Sequence, residues 1–348
     1  MISIAVDAMG GDHAPQKIVQ GAVLASKANP VRILLVGDEY AIKDELKHHE
    51  YPSDSLKIIH TPDSILMDES PKKAVVNKPN ASILIAASLV SKGDADALVS
   101  AGSTGSVVLS AAKKLSKIPG IKRTAIATVY PTLNEFKHDD HLALMVDVGA
   151  NVKSSAIELV QFAIMGSSYV ANVRGVVSPK AALLNIGEEE TKGSEKMQTA
   201  YHMLKKVPSL NFFGNIEGKD ILRGNVDVIV TDGFVGNIVS KTLEGAAIGA
   251  GQLGEIAFRA KFSWKLGLFF LRKGLRRIRE VTDYAEYGGA PLLGFEKMVI
   301  IAHGRSNAKA VSNAIKLAGK SVRDKVDTTM AQKIGELDVQ PKETFSVN

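Results

Sequence analysis

The chain has 348 residues, 45% of them hydrophobic, which is enough for a sizeable core in one large or two ordinary domains. It contains no cysteine, which excludes disulfides, thiolate metal sites and a cysteine nucleophile and accords with a reducing compartment. A net charge of +6 and a pI of about 9.2 favour acidic partners, yet with 5% aromatic residues there is no basic stacking platform for nucleic acid.

Residues 1–7 lack a basic segment leading into a long apolar core, so no signal peptide is expected. No stretch reaches about 18 uncharged apolar residues, so no bilayer-spanning segment is expected either. Strand and helix patterns alternate almost throughout, which predicts βαβ units and a largely parallel sheet. Residues 2–9 read as a strand and 15–28 as a helix with Pro15 in its first turn. Residues 31–36 form the next strand, followed by Gly37-Asp38 and a helix to His48. Residues 56–60 are a short strand. The polar, proline-containing stretch 61–80 reads as a long loop with one helical turn. A helix over 81–91, a strand over 97–100 and a small-residue helix over 106–115 follow. A strand at 125–129, a charged excursion over 134–141 and a strand at 142–146 lead into a helix over 156–172. Residues 181–186 are a strand, and Ser194 is placed to cap a helix reaching Val207. Residues 226–230 are a strand and 238–247 a helix. Residues 299–302 are the last strand and 307–326 the last long helix, after which the polar end 339–348 is expected to fray.

The stretch NVDVIVTDGFVGNIVSKTLEG, residues 225–245, organises the rest. A β-branched strand runs into Thr231-Asp232-Gly233-Phe234-Val235-Gly236-Asn237, a turn with two glycines, and then into a helix. Unpaired amides and the positive dipole end make such a helix start an anion site. An ordinary strand–helix turn capped by Asn237 fits the same residues. Comparable turns follow other strand patterns: DAMGGDH at 7–13, SAGSTG at 100–105, DVGAN at 147–151, NIGE at 185–188 and AHGR at 302–305. In open α/β sheets the ligand crevice lies outside the carboxyl ends of the strands, so parallel strands would bring all these turns to one rim.

Several signatures are missing. No GxGxxG follows the first strand, residues 187–194 have the wrong spacing for a P-loop, and neither GxSxG nor HExxH occurs. Asp7, Asp12 and His13 fit either a metal group or a solvated loop with a helix-capping aspartate. Lys192, in a polar turn beside Glu188, Glu189 and Glu190, is either a surface lysine or a cation aimed at a phosphate or developing oxyanion. His303 and His13 are each either crevice-facing groups or ordinary histidines at the edge of the core.

Residues 261–280, KFSWKLGLFFLRKGLRRIRE, carry one apolar helical stripe of Trp264, Leu268, Leu271, Leu275 and Ile278. Phe262, Leu266, Phe269 and Phe270 fall on a separate face, with Lys261, Lys265, Arg272, Arg276 and Arg279 between. Basic residues beside exposed aromatics describe a helix lying on an anionic membrane. A dimer-interface helix that buries both faces fits too, and the two are compatible.

The motifs IAVDAMGGDHAP at 4–15, SAGSTG at 100–105, DVGANV at 147–152, TDGFVGN at 231–237, YGGAPLLG at 287–294 and AHG at 302–304 occur in order. Together they resemble the bacterial acyl-(acyl-carrier-protein):phosphate acyltransferase (PlsX) family from residue 1 to about 330. The resemblance implies a three-layer α/β/α fold similar to isocitrate/isopropylmalate dehydrogenases and phosphotransacetylases. It implies a single domain over 1–335, with a protruding helical arm at about 241–285, and a flexible tail over 336–348. It also implies a cytoplasmic homodimer that docks peripherally on the membrane. Such an enzyme makes acyl phosphate from acyl carrier protein and inorganic phosphate, for a downstream glycerol-3-phosphate acyltransferase. Lys192 and Asn237 match positions implicated in catalysis, and Phe262, Leu266 and Phe270 match membrane-contacting tip positions. Ser103 departs from the SAGNTG pattern, where asparagine is expected.

On that basis Lys192 stabilises phosphate or oxyanion, Asn237 and the backbone from Gly233 to Gly236 donate hydrogen bonds to the same centre, and Asp232 belongs to the phosphate-binding set. Gly102, Ser103, Thr104 and Gly105 form a second wall of the phosphate cradle, with His13 and His303 nearby. Phosphate is its own nucleophile, and a thiol leaving group with a pKa of about 8.5 departs without assistance, so no metal or organic cofactor is called for. Lys261, Lys265, Arg272, Lys273, Arg276 and Arg277 form a basic landing surface for acidic carrier protein. A coenzyme A-dependent phosphotransacetylase and a non-catalytic membrane scaffold are the alternatives. A dehydrogenase lacks its fingerprint.

Overall fold

In a computed structural model of the chain, residues 1–133, 141–260 and 287–339 are described. The strands are β1 (Ile2–Asp7), β2 (Val31–Gly37), β3 (Leu56–His60), β4 (Ala97–Ser100), β5 (Ala125–Pro131), β6 (Leu142–Val146), β7 (Lys180–Leu184), β8 (Asn211–Ile216), β9 (Val228–Val230), β10 (Ala290–Leu293) and β11 (Met298–Ile301). They form one sheet in the order β3-β2-β1-β4-β11-β10-β5-β6-β9-β7-β8. The helices are α1 (Gln16–Ala28), α2 (Glu39–Leu46), α3 (Pro71–Asn77), α4 (Ser82–Lys92), α5 (Thr104–Lys114), α6 (Ala156–Arg174), α7 (Glu195–Lys205), α8 (Gly233–Ala260), α9 (Ala308–Arg323) and α10 (Val326–Val339).

Alternation along each strand builds two cores. Ile4 and Val6 of β1 join Val99, Leu144, Val146, Val228 and Val230 under α1, α6, α7, α9 and α10. Ala5 joins Leu98, Ile126, Met145, Ile229 and Val299 under α3, α4 and α5, with Val239 and Leu243 of α8 packed alongside. Helices therefore cover both faces, as the sequence predicts. Among the described residues α6 alone is long and apolar enough to cross a membrane, but its residues 159–170 are buried against the sheet, α7 and α10. It is a core helix whose start is fixed by a Ser155–Glu158 capping box.

Strand direction corrects one expectation. β1, β2, β3, β4 and β11 run parallel. β10 is antiparallel to both β11 and β5, and β5 is antiparallel to β6. From β6 onward the strands are again parallel to one another, through β9 and β7 to β8. The two parallel blocks therefore point in opposite directions. Turns after β1, β4 and β11 lie at one rim and those after β6, β7 and β9 at the other, not all at a single rim.

Other boundaries also shift. β8 and β10 were not anticipated, because Gly214 interrupts the first and Pro291 sits inside the second between glycines, features that argue against a strand. Residues 71–77 form a two-turn helix with proline at its start rather than a single turn. α5 begins at Thr104, not at 106, and α8 at Gly233, not at 238. Asp227 interrupts an apolar run because its carboxylate accepts the Lys180 amide at 2.8 Å. α10 continues to Val339, past residue 335. Residues 134–140, all but the last of the charged excursion over 134–141, and all of 261–286 lie outside the described residues.

Candidate active site

Each block is pinned by a buried aspartate at the end of a central strand. Asp7 of β1 accepts the hydroxyls of Ser82 at 2.6 Å and Ser100 at 2.7 Å. Burial pushes its carboxyl above the ordinary value, partly offset by those hydroxyls and by loop amides. Asp147, directly after β6, accepts amides of Ile126, Gly149 and Ala150 on Oδ1 and of Asn151 on Oδ2. Burial raises its pKa too, against the pull of these donors. Neither carboxylate is available to a metal, and among the described residues no three His, Asp or Glu side chains group as ligands.

The Asp147 loop explains the glycines of TDGFVGN. A Cβ at Gly236 would fall on the Asp147 carbonyl oxygen, and one at Gly233 would fall on the Asn151 carbonyl. These glycines belong to the first turn of α8 and allow it to press onto the loop, rather than forming an open cradle. The amides of this first turn are partly used: Gly236 donates to the Asp232 carbonyl at 2.9 Å and Val235 to Asp232 Oδ1 at 3.1 Å. Asp232 is thus the helix cap, and its Oδ2 receives Lys196 Nζ of α7 at 2.9 Å. Asn237 is the fifth residue of α8, not its cap, and donates Nδ2 to the Val148 carbonyl at 3.1 Å.

Lys192 lies at this same rim, in the turn between β7 and α7. Its side chain packs over Gly187, and its ammonium stands 4.0 Å from Glu189. Lys192 and Asn237 thus project from neighbouring strand ends, linked through Lys196 and Asp232.

At the opposite rim is an open cavity of about 330 Å³. Gly102 and Thr104 at the start of α5 line it, with His303, Arg305 and, from α8, Lys241 and Glu244. Asp12, Met67, Ala302 and Gly304 complete the wall. The first-turn amides of α5 have no helical acceptor, so this wall carries donors and a positive dipole end. Arg305 donates its amide to His303 Nδ1 at 3.1 Å, which assigns the neutral ring's proton to Nε2. Ser103 bonds Ser106 at 2.7 Å and Gly105 packs against Pro71 of α3, so neither is a lining residue. His13 is exposed in the turn before α1 and is not part of the lining.

α8 joins the two rims. Asn237, Lys241 and Glu244 recur at helical spacing on one face. Asn237 and Lys241 are about 6 Å apart along the axis. Lys241, Glu244, Arg305 and Lys196 were missed in the sequence, where each reads as an ordinary surface charge. Only the fold brings their partners together. Phe262, Leu266, Phe269, Phe270, Lys261, Lys265, Arg272, Lys273, Arg276 and Arg277 lie outside the described residues.

The family model described as "Fatty acid synthesis protein" matches residues 2–329. The phosphate acyltransferase of Desulfitobacterium hafniense strain Y51 is 47% identical over 323 residues, 92% of this chain and 94% of that protein. The phosphate acyltransferase of Dictyoglomus turgidum is 43% identical over 337 residues, covering 97% and 98%. Among solved structures, a phosphotransacetylase from Streptococcus pyogenes superposes with a TM-score of 0.62 at 18% identity, over 92% of this chain and 94% of that one. A 4-hydroxythreonine-4-phosphate dehydrogenase from Klebsiella pneumoniae superposes at 0.50 and 14% identity, over 92% and 100%. At these identities the likeness shows the fold alone.

Proposed function

The chain belongs to the phosphate acyltransferase family and is an acyltransferase of fatty acid and phospholipid synthesis, and from that premise we propose that it moves a long-chain acyl group from acyl carrier protein to inorganic phosphate. The observation that carries this reading is the cavity where Lys241, Arg305 and His303 converge on the amides at the start of α5. Cations and unpaired amides around so small a space suit a compact dianion.

A phosphate seated there needs no enzyme nucleophile. One of its oxygens attacks the thioester carbonyl, the C–S bond breaks, and the thiolate leaves with the electron pair. What the protein supplies is placement and charge. Asn237 lies one turn from Lys241 on α8, so the thioester is assigned to the cleft along that helix. Lys192, from the β7–α7 turn, is assigned to the developing oxyanion. Asp232 is assigned to capping α8 rather than to phosphate, whose charge it would repel.

The remaining partners belong to the same proposal. The basic residues of 261–277 recruit acidic carrier protein, and the apolar face with Phe262, Leu266, Phe269 and Phe270 docks a cytoplasmic homodimer on an anionic membrane. There its acyl phosphate passes to a glycerol-3-phosphate acyltransferase. The decisive assay is mass detection of acyl phosphate from long-chain acyl carrier protein and inorganic phosphate. Turnover of acetyl-coenzyme A alone would replace this reading with a phosphotransacetylase. Binding to anionic vesicles and to carrier protein, each before and after Phe269→Asp, tests the docking.

A further inference from the structure

We infer that the Glu244 carboxylate is an internal counter-ion: it occupies the charge environment of the anion cavity in the empty protein and is displaced when phosphate enters. The inference rests on the assignment of that cavity to phosphate and adds a group that sets its affinity.

Glu244 lies one turn after Lys241 on α8, and its Oε2 receives Lys241 Nζ at 2.7 Å. Its Oε1 stands 3.8 Å from His303 Nε2, the nitrogen that carries the proton. Lys241, then His303 and Arg305, hold this carboxyl below the usual range. One carboxylate therefore faces the three groups assigned to phosphate, the cations Lys241 and Arg305 and the His303 N–H donor, and it is part of the cavity lining. Asp12 is the other carboxylate in that lining.

The arrangement is exchangeable. The side chains of Lys241 and Glu244 are 62% and 45% exposed, and an ion pair that open is weak. Among the described residues nothing lies within 4 Å of where a Cβ on the neighbouring Gly245 would sit. A phosphate dianion brings a second charge and more acceptor oxygens than the carboxylate it replaces. Until then, Glu244 keeps Lys241 aimed along the cavity wall, so less side-chain freedom is lost on binding.

The test is isothermal titration with inorganic phosphate alone, at fixed pH and ionic strength, together with the KM for phosphate. Removing an exposed competing charge should tighten phosphate roughly two- to five-fold in Glu244→Gln. Lys241→Met should bind more weakly than wild type, and adding Glu244→Gln should restore part of that loss, because Glu244 also faces His303 and Arg305. Glutamine has nearly the helix propensity of glutamate, and an unchanged melting curve checks folding. Unaltered or weaker phosphate binding in Glu244→Gln, with wild type still binding, overturns the counter-ion role alone. Absence of phosphate saturation in the wild type, in titration and turnover alike, overturns the cavity assignment and this inference with it.

Discussion

Lys196 of α7 donates to Asp232 at 2.9 Å, and that contact couples the turn bearing Lys192 to the cap of the helix bearing Asn237. Two strand-end loops are thereby held at one spacing. Lys196→Met should lower kcat between roughly ten- and a hundred-fold through misplacement of Lys192 relative to Asn237. Stability should fall by no more than about 1 kcal/mol, because the pair is only partly buried. Lys196→Arg should recover most of the loss. Wild-type turnover in Lys196→Met would remove the positioning role.

Lys192 itself makes only a 4.0 Å contact with Glu189, both side chains largely exposed. Lys192→Ala should therefore leave the melting temperature within error. If the lysine stabilises charge in the transition state, kcat should drop on the order of a hundred- to a thousand-fold. Full activity would take Lys192 out of the mechanism.

Two glycines of α8 should respond oppositely to alanine. At Gly236 the new methyl collides with the Asp147 carbonyl, so Gly236→Ala should destabilise by about 1–3 kcal/mol. At Gly245 no described residue crowds the position and the backbone is helical, so Gly245→Ala should stabilise by about 0.5–1 kcal/mol. Urea midpoints at equal m-value measure both.

Asp7 gives a pH dependence of fixed sign. Burial raises its pKa above 3.8, so the folded protein keeps a proton that the unfolded chain releases. Stability contributed by this group is therefore full below pH 3.8 and declines as pH rises from 3.8 to the raised value. Asp7→Asn should flatten that part of the curve. Urea midpoints between pH 4 and pH 7 would show it, and an unchanged slope would assign the dependence to other groups.

The sequence is most legible where local pattern decides structure. The strands at 56–60, 97–100 and 142–146 appear at those limits because each is a compact apolar run between polar turns. The strand reversal is hidden because it is set where β5 pairs antiparallel with β6, and the apolar pattern of neither strand carries a direction. α8 starts five residues earlier than it reads, because glycines serving close approach look like glycines making a turn, and it runs past residue 247 to Ala260. His13, read as a crevice residue, is exposed beyond the cavity lining, whereas His303, with the same local signal, lines it. Their difference is set by contacts with α8, some 60 residues from His303 in sequence and far beyond any local window.

α8 is one continuous helix from the Asp147 loop, past the cavity, to Ala260. Beyond Glu244 it runs about 24 Å further, and most of its described residues there are exposed. A stiff rod cannot be tilted at its outer end while its inner end stays still unless its own hydrogen bonds break. A load applied at residue 260 would therefore turn Lys241 and Glu244 with it.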